Sequence, residues 1–224
     1  MIPAGLWRRY AAWSLDASIV GVPIALFAWP YWRAGMQRIA AAFDVVATRF
    51  AELMVEGLRS AEHPLVLTQA WLHDAALHDA MAGVETAATD ALKPGCIAFV
   101  VLAALYWTAF ECSRWQATPG KRALDLVVTD LRDQRLGPRR AIARHAAGAL
   151  SWLTLNLGHA LAAMPPHKRA LHDYVSGTRV VQRAASDLPA WARTWLLLQA
   201  VVFLAAMMWL MQSMQGALQA AIYA

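Results

Sequence analysis

Cysteine and charged residues are both scarce in this sequence. Its two cysteines, Cys96 and Cys112, lie on one predicted helix about 24 Å apart by helical rise, which is too far for a disulfide. No cysteine spacing typical of a metal site is present. Charged residues make up 16% of the chain and apolar residues 59%, whereas roughly 25% of the residues in a soluble domain are charged. This composition excludes an ordinary soluble domain.

The sequence also lacks the short motifs of the common enzyme classes. It contains no G-x-S-x-G, H-E-x-x-H, P-loop or Rossmann fingerprint. We therefore expect a protein that is not an enzyme and that holds no cofactor or metal. A net charge of +5 is compatible with nucleic-acid binding. Membrane topology and attraction to anionic lipids explain this charge equally well, so we expect the lipid bilayer as a partner and no nucleic acid.

Three long apolar stretches predict transmembrane helices, each of which needs about 20 mostly apolar residues. They cover residues 11–32, 95–113 and 194–211, and Asp16 is an acidic exception inside the first. A fourth stretch, 145–164, is long enough but carries several polar residues. Eleven tryptophans are also typical of a protein with membrane interfaces. The pattern predicts an all-α integral membrane protein.

Basic residues are unevenly distributed among the polar segments. Residues 114–144 hold eight Lys or Arg and three Asp, whereas residues 33–94 hold five Lys or Arg and eight Asp or Glu. Because basic loops remain on the cytoplasmic side, we expect the N-terminus and 114–144 inside and 33–94 outside. Residues 165–193, with five Lys or Arg and two Asp, also favour the inside.

The two basic segments flank residues 145–164, so both are cytoplasmic only if this stretch does not cross the membrane. It is then a re-entrant or interfacial segment that bends near Asn156 and Gly158. A full crossing, which would place Lys168 and Arg169 outside, is the alternative that the charge pattern disfavours. Asn156 and His159 either line a polar path in a re-entrant segment or form the wet face of an interfacial helix.

The outer segment 33–94 is predicted to form two amphipathic helices. Apolar residues follow helical spacing in its first half, and His63-Pro64 divides the halves, with Lys93-Pro94-Gly95 ending the second. The inner segment differs, because LDLVVTD at 124–130 is bounded by turn residues and predicts a strand of a small cytoplasmic β-hairpin. TRVVQ at 178–182 is a further strand candidate.

Three stretches carry a family resemblance: RRYAAWSLD at 8–16, TPGKRALDLVVTD at 118–130 and LHDYVSGTRVV at 171–181. Together they resemble the RDD family of bacterial integral membrane proteins. The Arg and two Asp that name that family correspond to Arg9, Asp16 and Asp173. The long 33–94 loop and the last apolar helix depart from the family pattern.

The resemblance implies an α-helical protein of the bacterial inner membrane, multi-pass and without known enzymatic chemistry. Transport is suspected for the family, and cation/proton antiport has been proposed for a member. We accordingly expect an RDD-like membrane domain at 1–183, with 33–94 as an extracytoplasmic insertion, and an additional transmembrane helix within 184–224.

We expect Arg9, Asp16, Lys121, Arg122 and Asp173 to converge at the cytoplasmic end of the helices. Inside a membrane, a carboxylate such as Asp16 is costly unless it is paired or hydrated. It therefore either binds a cation or relays a proton, or else it forms a buried ion pair that fixes helix packing.

Several other polar residues are secondary candidates. His172, beside Asp173, has a side chain that titrates near neutral pH, although Asp173 itself is also explained as a turn residue. Glu111 and Arg114 are one helical turn apart and are expected to form an ion pair.

Two function classes remain open. The first is a transporter or transport-associated protein that moves monovalent cations or protons. Three or four helices are few for a solute pathway, so it would need a homo-oligomer or another membrane protein. The second class is a non-catalytic scaffold or assembly factor that docks a partner through 33–94.

Overall fold

A computed structural model describes residues 1–60, 63–154 and 156–223. The elements in chain order are β1 (Ile2–Pro3), α1 (Leu6–Ser60), α2 (Pro64–Leu72), α3 (Ala75–Cys112), α4 (Pro119–Ala123), β2 (Leu126–Asp130), α5 (Pro138–Leu153), α6 (Leu157–Ala160), a 3₁₀ turn (Leu161–Ala163), α7 (Leu171–Ser176), β3 (Thr178–Gln182) and α8 (Ala190–Tyr223). The fold is predominantly helical, as predicted.

Within the described ranges, three helices are long and apolar enough to cross a membrane: α1, α3 and the Ala190–Ser213 part of α8. Helices α1 and α8 contain the predicted stretches 11–32 and 194–211, and α3 covers the stretch 95–113 except for its last residue. This confirms the three spanning helices of the predicted fold. Helix α5, which covers the start of the 145–164 stretch, is not among them.

The chain divides into two compact units. The sheet unit comprises Met1–Ile24 and Ala98–Gln199, and the helical unit comprises Ala25–Ile97 and Ala200–Ala224. The predicted division at residue 183 separates a family-like membrane domain from an additional C-terminal helix. It is not a division into compact units and stays a prediction. All three motifs of the sequence lie in the sheet unit.

The core of the sheet unit is built from small and branched apolar residues. Its fully or nearly fully buried members are Ala4, Ala11, Ala12, Leu124, Leu126, Val128, Leu136, Val180 and Ala192. Ser14 of α1 accepts hydrogen bonds from Trp195 Nε1 at 3.0 Å and Gln199 Nε2 at 3.2 Å, both on α8. Such polar contacts supplement close packing where helices meet in an apolar environment.

The sheet is antiparallel, with the strand order β1-β3-β2. Strand β2 pairs with β3 so that Leu126 lies opposite Gln182 and Asp130 opposite Thr178. Both predicted strand segments are therefore strands, but β2 pairs with distant β3 and not with a neighbouring hairpin partner. The two-residue strand β1 adds an edge that the sequence did not predict.

The predicted bend near Asn156 is present. Asn156 adopts a left-handed conformation with φ of 65°, and its side chain is exposed. Gly158 lies two residues later and packs closely on Ser151. A Cβ added at Gly158 would collide with the Ser151 hydroxyl. Residue 155, also part of the predicted 145–164 segment, lies outside the described residues. The described part therefore bends after α5, and the expectation that this segment does not cross the membrane stays a prediction.

The 33–94 segment differs from the two separate helices predicted. Helix α1 continues from the apolar stretch to Ser60, and α3 begins at Ala75 and continues through Pro94. A division near His63-Pro64 is present, because α2 begins at Pro64. Residues 61 and 62 lie outside the described residues.

The predicted helix end at Pro94 is wrong for a structural reason. Proline lacks the N–H that would bond to the carbonyl four residues earlier, which here belongs to Asp90. That carbonyl accepts a hydrogen bond from the Tyr31 hydroxyl of α1 instead. Because the freed acceptor is satisfied from outside, α3 continues as a helix.

Small residues allow α1 and α3 to approach closely in the helical unit. A Cβ added at Gly35 would lie 2.6 Å from Ala91 Cβ and 3.3 Å from its Cα. At Gly95 an added Cβ would lie 2.6 Å from the Trp32 ring. Such a close approach of two helices at glycine residues is typical of the small-residue interfaces between membrane helices.

Gly35→Ala is expected to destabilise the protein by about 2 kcal/mol, because the Ala91 backbone leaves no room for a methyl group. Thermal unfolding of the detergent-solubilised protein, followed by tryptophan fluorescence, measures the effect. Gly83→Ala in α3 is the control, since no atom lies within 4 Å of its added Cβ and alanine favours a helix. Equal melting temperatures for the two variants would contradict the packing argument.

Candidate functional site

Asp173 lies at the centre of a buried polar network in the sheet unit. Its carboxylate accepts hydrogen bonds from Arg9 Nη1 at 2.6 Å and from Arg144 Nη1. Its Oδ2 also accepts from the backbone N–H of Ala170 at 2.9 Å, so it caps the start of α7. Gly177, in the left-handed conformation with φ of 62°, ends the same helix.

The charge state of Asp173 follows from these partners. Its side chain is fully buried, and burial alone opposes ionisation. The guanidinium groups of Arg144 and Arg9 outweigh this effect and hold the pKa of Asp173 well below its usual value. Asp173 is therefore an anion fixed between two cations.

The network continues from Arg144 to two further residues. Arg144 Nε lies 3.1 Å from Glu111 Oε2, and Glu111 Oε1 lies 3.0 Å from Lys121 Nζ. The resulting ion-pair chain runs Arg9, Asp173, Arg144, Glu111 and Lys121, with alternating sign. It joins α1, α7, α5, α3 and α4, so each of these elements is tied to the next by a buried charge pair.

Asp16 forms a second arrangement, the Asp16 site. Its carboxylate accepts hydrogen bonds from Tyr106 Oη at 2.8 Å, Thr118 Oγ1 at 2.5 Å and the backbone N–H of Gly120 at 2.7 Å. The side chain is fully buried. All three of these donors are neutral.

The two arrangements differ in charge balance. The buried carboxylates of Glu111 and Asp173 each have two Lys or Arg partners within 4 Å, and Asp173 also has His172 Nε2 at 3.6 Å. Among the described residues, the Asp16 carboxylate has no Lys, Arg or His within that distance. An isolated carboxylate in an apolar environment is strongly disfavoured, and the Asp16 carboxylate is held by hydrogen bonds from neutral donors.

The TPGK turn explains how Asp16 is held. Thr118 caps α4 by accepting from the Lys121 N–H at 3.4 Å while its hydroxyl donates to Asp16, and proline occupies the first turn, where its missing N–H is harmless. A Cβ at Gly120 would collide with the Ala12 carbonyl and lie 2.8 Å from Asp16 Cγ. Only glycine lets the turn approach α1 this closely.

Arg9 and Asp16 do not contact each other, although they are two helical turns apart. Arg9 turns to Asp173, and Asp16 turns to the TPGK turn. Lys121 links the two arrangements, because its N–H bonds to Thr118 and its Nζ to Glu111. The structure thus connects four of the five residues expected to converge.

Arg122, the fifth expected residue, lies outside the network. Its side chain is exposed and stacks over the Trp115 ring at 4.3 Å. The expected pair of Glu111 with Arg114 is also not formed, since Glu111 pairs with Lys121 and Arg144. Arg114 is exposed, whereas Lys121 and Arg144 are buried and pair with the buried Glu111 carboxylate.

His159 and His172 lie against each other at the junction of α6 and α7, with ring centroids 5.1 Å apart. Both Nδ1 atoms are buried and have no hydrogen-bond partner in the described part of the chain. Burial, and secondly the charge of Arg144, lower the pKa of His172 well below its usual 6.5. Burial likewise lowers the pKa of His159. Both rings are neutral near pH 7, which disfavours His172 as a proton carrier there.

The histidine pair is expected to make the free energy of unfolding depend on pH. The unfolded chain binds a proton at His172 near pH 6.5, whereas the folded chain, with Arg144 and Arg9 nearby and Asp173 already paired, does not. The contribution of His172 to the free energy of unfolding is therefore fully present above about pH 7.5 and decreases on acidification. Between about pH 7.5 and pH 5.5, we expect His172 alone to lower the free energy of unfolding by about 1 kcal/mol. Chemical unfolding at both pH values measures this loss.

Replacing His172 with Phe removes the titrating group and is expected to reduce the pH dependence. His167→Phe is the matched control, because His167 is exposed on the same stretch. An unchanged pH dependence in His172→Phe would show that His172 is protonated equally in both states.

The roles of four residues in these arrangements were not predicted from the sequence. Arg144 entered the prediction only as one of the eight basic residues of 114–144, although its place directly before the apolar 145–164 stretch is a signal that could have identified it. Thr118 and Gly120 belong to a motif that was recognised, but their role as donors to Asp16 was not. Tyr106, within an apolar helix, gave no signal in the sequence.

Comparison with known proteins identifies a family for most of the chain. The RDD family model matches residues 3–177, a range that contains the whole ion-pair chain and the Asp16 site. The uncharacterized protein YxaI of Bacillus subtilis (strain 168) is 27% identical over 183 residues, which is 81% of this chain and 98% of that protein. No solved structure matches the chain.

Proposed function

Because this chain belongs to the RDD family and is a multi-pass membrane protein, we propose that it takes part in membrane transport. It exchanges a monovalent cation for protons, with Asp16 as the exchanging carboxylate. No catalytic step is assigned to any residue. The proposed location is the bacterial inner membrane, with the N-terminus in the cytoplasm.

One observation supports this role for Asp16. It is a fully buried carboxylate on a spanning helix, and its donors among the described residues are all neutral groups. Either a proton or a small cation supplies the missing positive charge, and the two exclude each other. Competition between them at one carboxylate is the elementary step of cation/proton exchange.

The ion-pair chain has a positioning role in this proposal. Its carboxylates are already neutralised by two cations each, so they have little tendency to release or accept a proton. Through Lys121 the chain fixes the TPGK turn, and this turn supplies two of the three donors to Asp16. Three spanning helices enclose little space, so the transporting form is proposed to be a homo-oligomer or a complex with another membrane protein.

The test is proton flux in liposomes that contain the purified protein and an internal pH dye. A gradient of Na⁺, K⁺ or Li⁺ is expected to drive proton movement, and Asp16→Asn is expected to abolish it. Asparagine has nearly the same shape but binds no proton and carries no charge. Asp44→Asn, an exposed carboxylate on the same helix, is the control and keeps full flux.

The absence of flux in wild-type protein for all three cations, across acidic and alkaline pH, would contradict exchange by a homo-oligomer of this chain. If flux persists in Asp16→Asn, the protein is a transporter but Asp16 is not the exchanging carboxylate.

A scaffold role is the second candidate, and one feature of the helical unit favours it. The end of α1 and helix α2 expose large apolar side chains, with Leu58 82%, Leu65 69% and Leu72 65% exposed. The Arg49 guanidinium bonds both oxygens of Asp74 at 3.1 and 2.7 Å and orders the adjacent turn. A photo-crosslinker at Leu58 that captures one protein in stoichiometric amount, in the absence of any flux, would favour this role.

A further inference from the structure

The exposed face of α5 is apolar except at its N-terminal end. Within about 120° of arc at 100° per residue, it presents Arg139, Ile142, Ala143, Ala146, Ala149 and Leu150, all of which are exposed. Ile142 is 57% exposed and Leu150 is 46% exposed. The opposite face buries Arg144, the central cation of the ion-pair chain, so the apolar face is fixed outward.

A cluster of arginines surrounds the start of this face. Arg132, Arg135 and Arg139 are exposed and have no ion-pair partner among the described residues. Asp130 organises the loop that carries them, because its Oδ1 accepts from the backbone N–H groups of Arg132 and Gln134, each at 2.8 Å. The positive charge is therefore held in a preformed loop and is not internally neutralised.

Charge and apolar surface are separated along the helix axis. From Arg139 to Leu150 the helix rises about 16 Å, roughly half of the 30 Å hydrocarbon thickness of a bilayer. Beyond the bend, Leu157 is 67% exposed and Met164 61% exposed. This segment has arginines at one end and exposed apolar residues at the other, which is the arrangement of polar and apolar regions in one leaflet of a bilayer. The arginines would lie at the lipid headgroups and the apolar residues along the acyl chains.

We propose that α5 enters the bilayer from its N-terminal end and that Arg132, Arg135 and Arg139 bind the phosphate groups of anionic phospholipids. Guanidinium groups bind phosphate oxygens through paired, charge-assisted hydrogen bonds. This lipid site is separate from the Asp16 site and does not depend on the transport proposal. It anchors the helix whose buried face carries Arg144.

The test uses purified full-length protein in a neutral detergent, with melting followed by tryptophan fluorescence. Dioleoyl phosphatidylglycerol is expected to raise the melting temperature, and dioleoyl phosphatidylcholine is expected to have little effect. In the variant R132Q/R135Q/R139Q, the phosphatidylglycerol concentration for half-maximal stabilisation is expected to rise on the order of 100-fold. High salt is expected to weaken the wild-type response.

A matched control loses the same charge elsewhere. R33Q/R38Q/R59Q removes three exposed arginines of the helical unit and is expected to respond to phosphatidylglycerol as wild type does. If the triple variant at 132, 135 and 139 fails to fold, Arg139→Gln alone is expected to shift the half-maximal concentration about 5-fold.

Three results would overturn the lipid site. One is an equal loss of response in the two triple variants, and another is an equal response to the two lipids. The third is full stabilisation by inorganic phosphate alone, which would identify a site for a free anion instead.

Discussion

Replacing Arg144 with Met is expected to lower the free energy of unfolding by about 3–5 kcal/mol. Arg144 is 7% exposed and joins the two buried carboxylates of Asp173 and Glu111. It also donates to Thr178 Oγ1 at 2.7 Å. Methionine fills much of the same volume, so the loss reports the missing charge. Denaturant titration of the detergent-solubilised protein measures it.

Arg140→Met provides the matched control on the same helix. Arg140 pairs with Asp130 at 3.0 Å, but its side chain is 47% exposed, and exposed ion pairs contribute less than about 1 kcal/mol. Similar losses of unfolding free energy for the two variants would contradict the presence of a buried ion-pair chain.

The double variant Asp173→Asn with Arg144→Met is expected to lose less unfolding free energy than the sum of the two single variants, because the two side chains interact directly.

Replacing Gly120 with Ala is expected to destabilise the protein by about 3 kcal/mol and to abolish exchange activity. The added methyl group would collide with the Ala12 carbonyl and with the Asp16 carboxylate. Neither can move easily, since one is helix backbone and the other is held by three donors. The TPGK turn would therefore move away from α1 and withdraw two of the donors to Asp16.

Gly137→Ala is the control, because nothing lies within 4 Å of its added Cβ. Unfolding and liposome flux are measured for both variants. Unchanged stability together with full flux in Gly120→Ala would contradict the claim that close approach of the turn builds the Asp16 site.

Much of the fold could be predicted from local patterns. The three spanning helices follow from apolar length, and both main strands follow from branched residues between turns. The course of α3 through Pro94 could not be predicted, because it depends on the Tyr31 hydroxyl of another helix. The pairing of β2 with β3 likewise depends on long-range packing.

The site could be predicted only in part. The motifs identified Arg9, Asp16 and Asp173, but they do not specify partners. Arg9 and Asp16 share a helix face and nevertheless contact different elements, because α7 and α4 approach α1 at different levels. Arg122 carries the same charge as Lys121, yet the helical turn directs only Lys121 towards Glu111. Spacing along one helix is visible in a sequence, whereas the approach of a second element is not.

Cation-induced proton release from the purified protein tests the central claim most directly, because it needs neither a pathway nor an oligomer. Na⁺, K⁺ or Li⁺ is added to protein in weakly buffered detergent that contains a pH dye. The account predicts release from wild type and from Asp44→Asn, and none from Asp16→Asn. Equal release from Asp16→Asn, or none from wild type at any pH, would contradict exchange at Asp16.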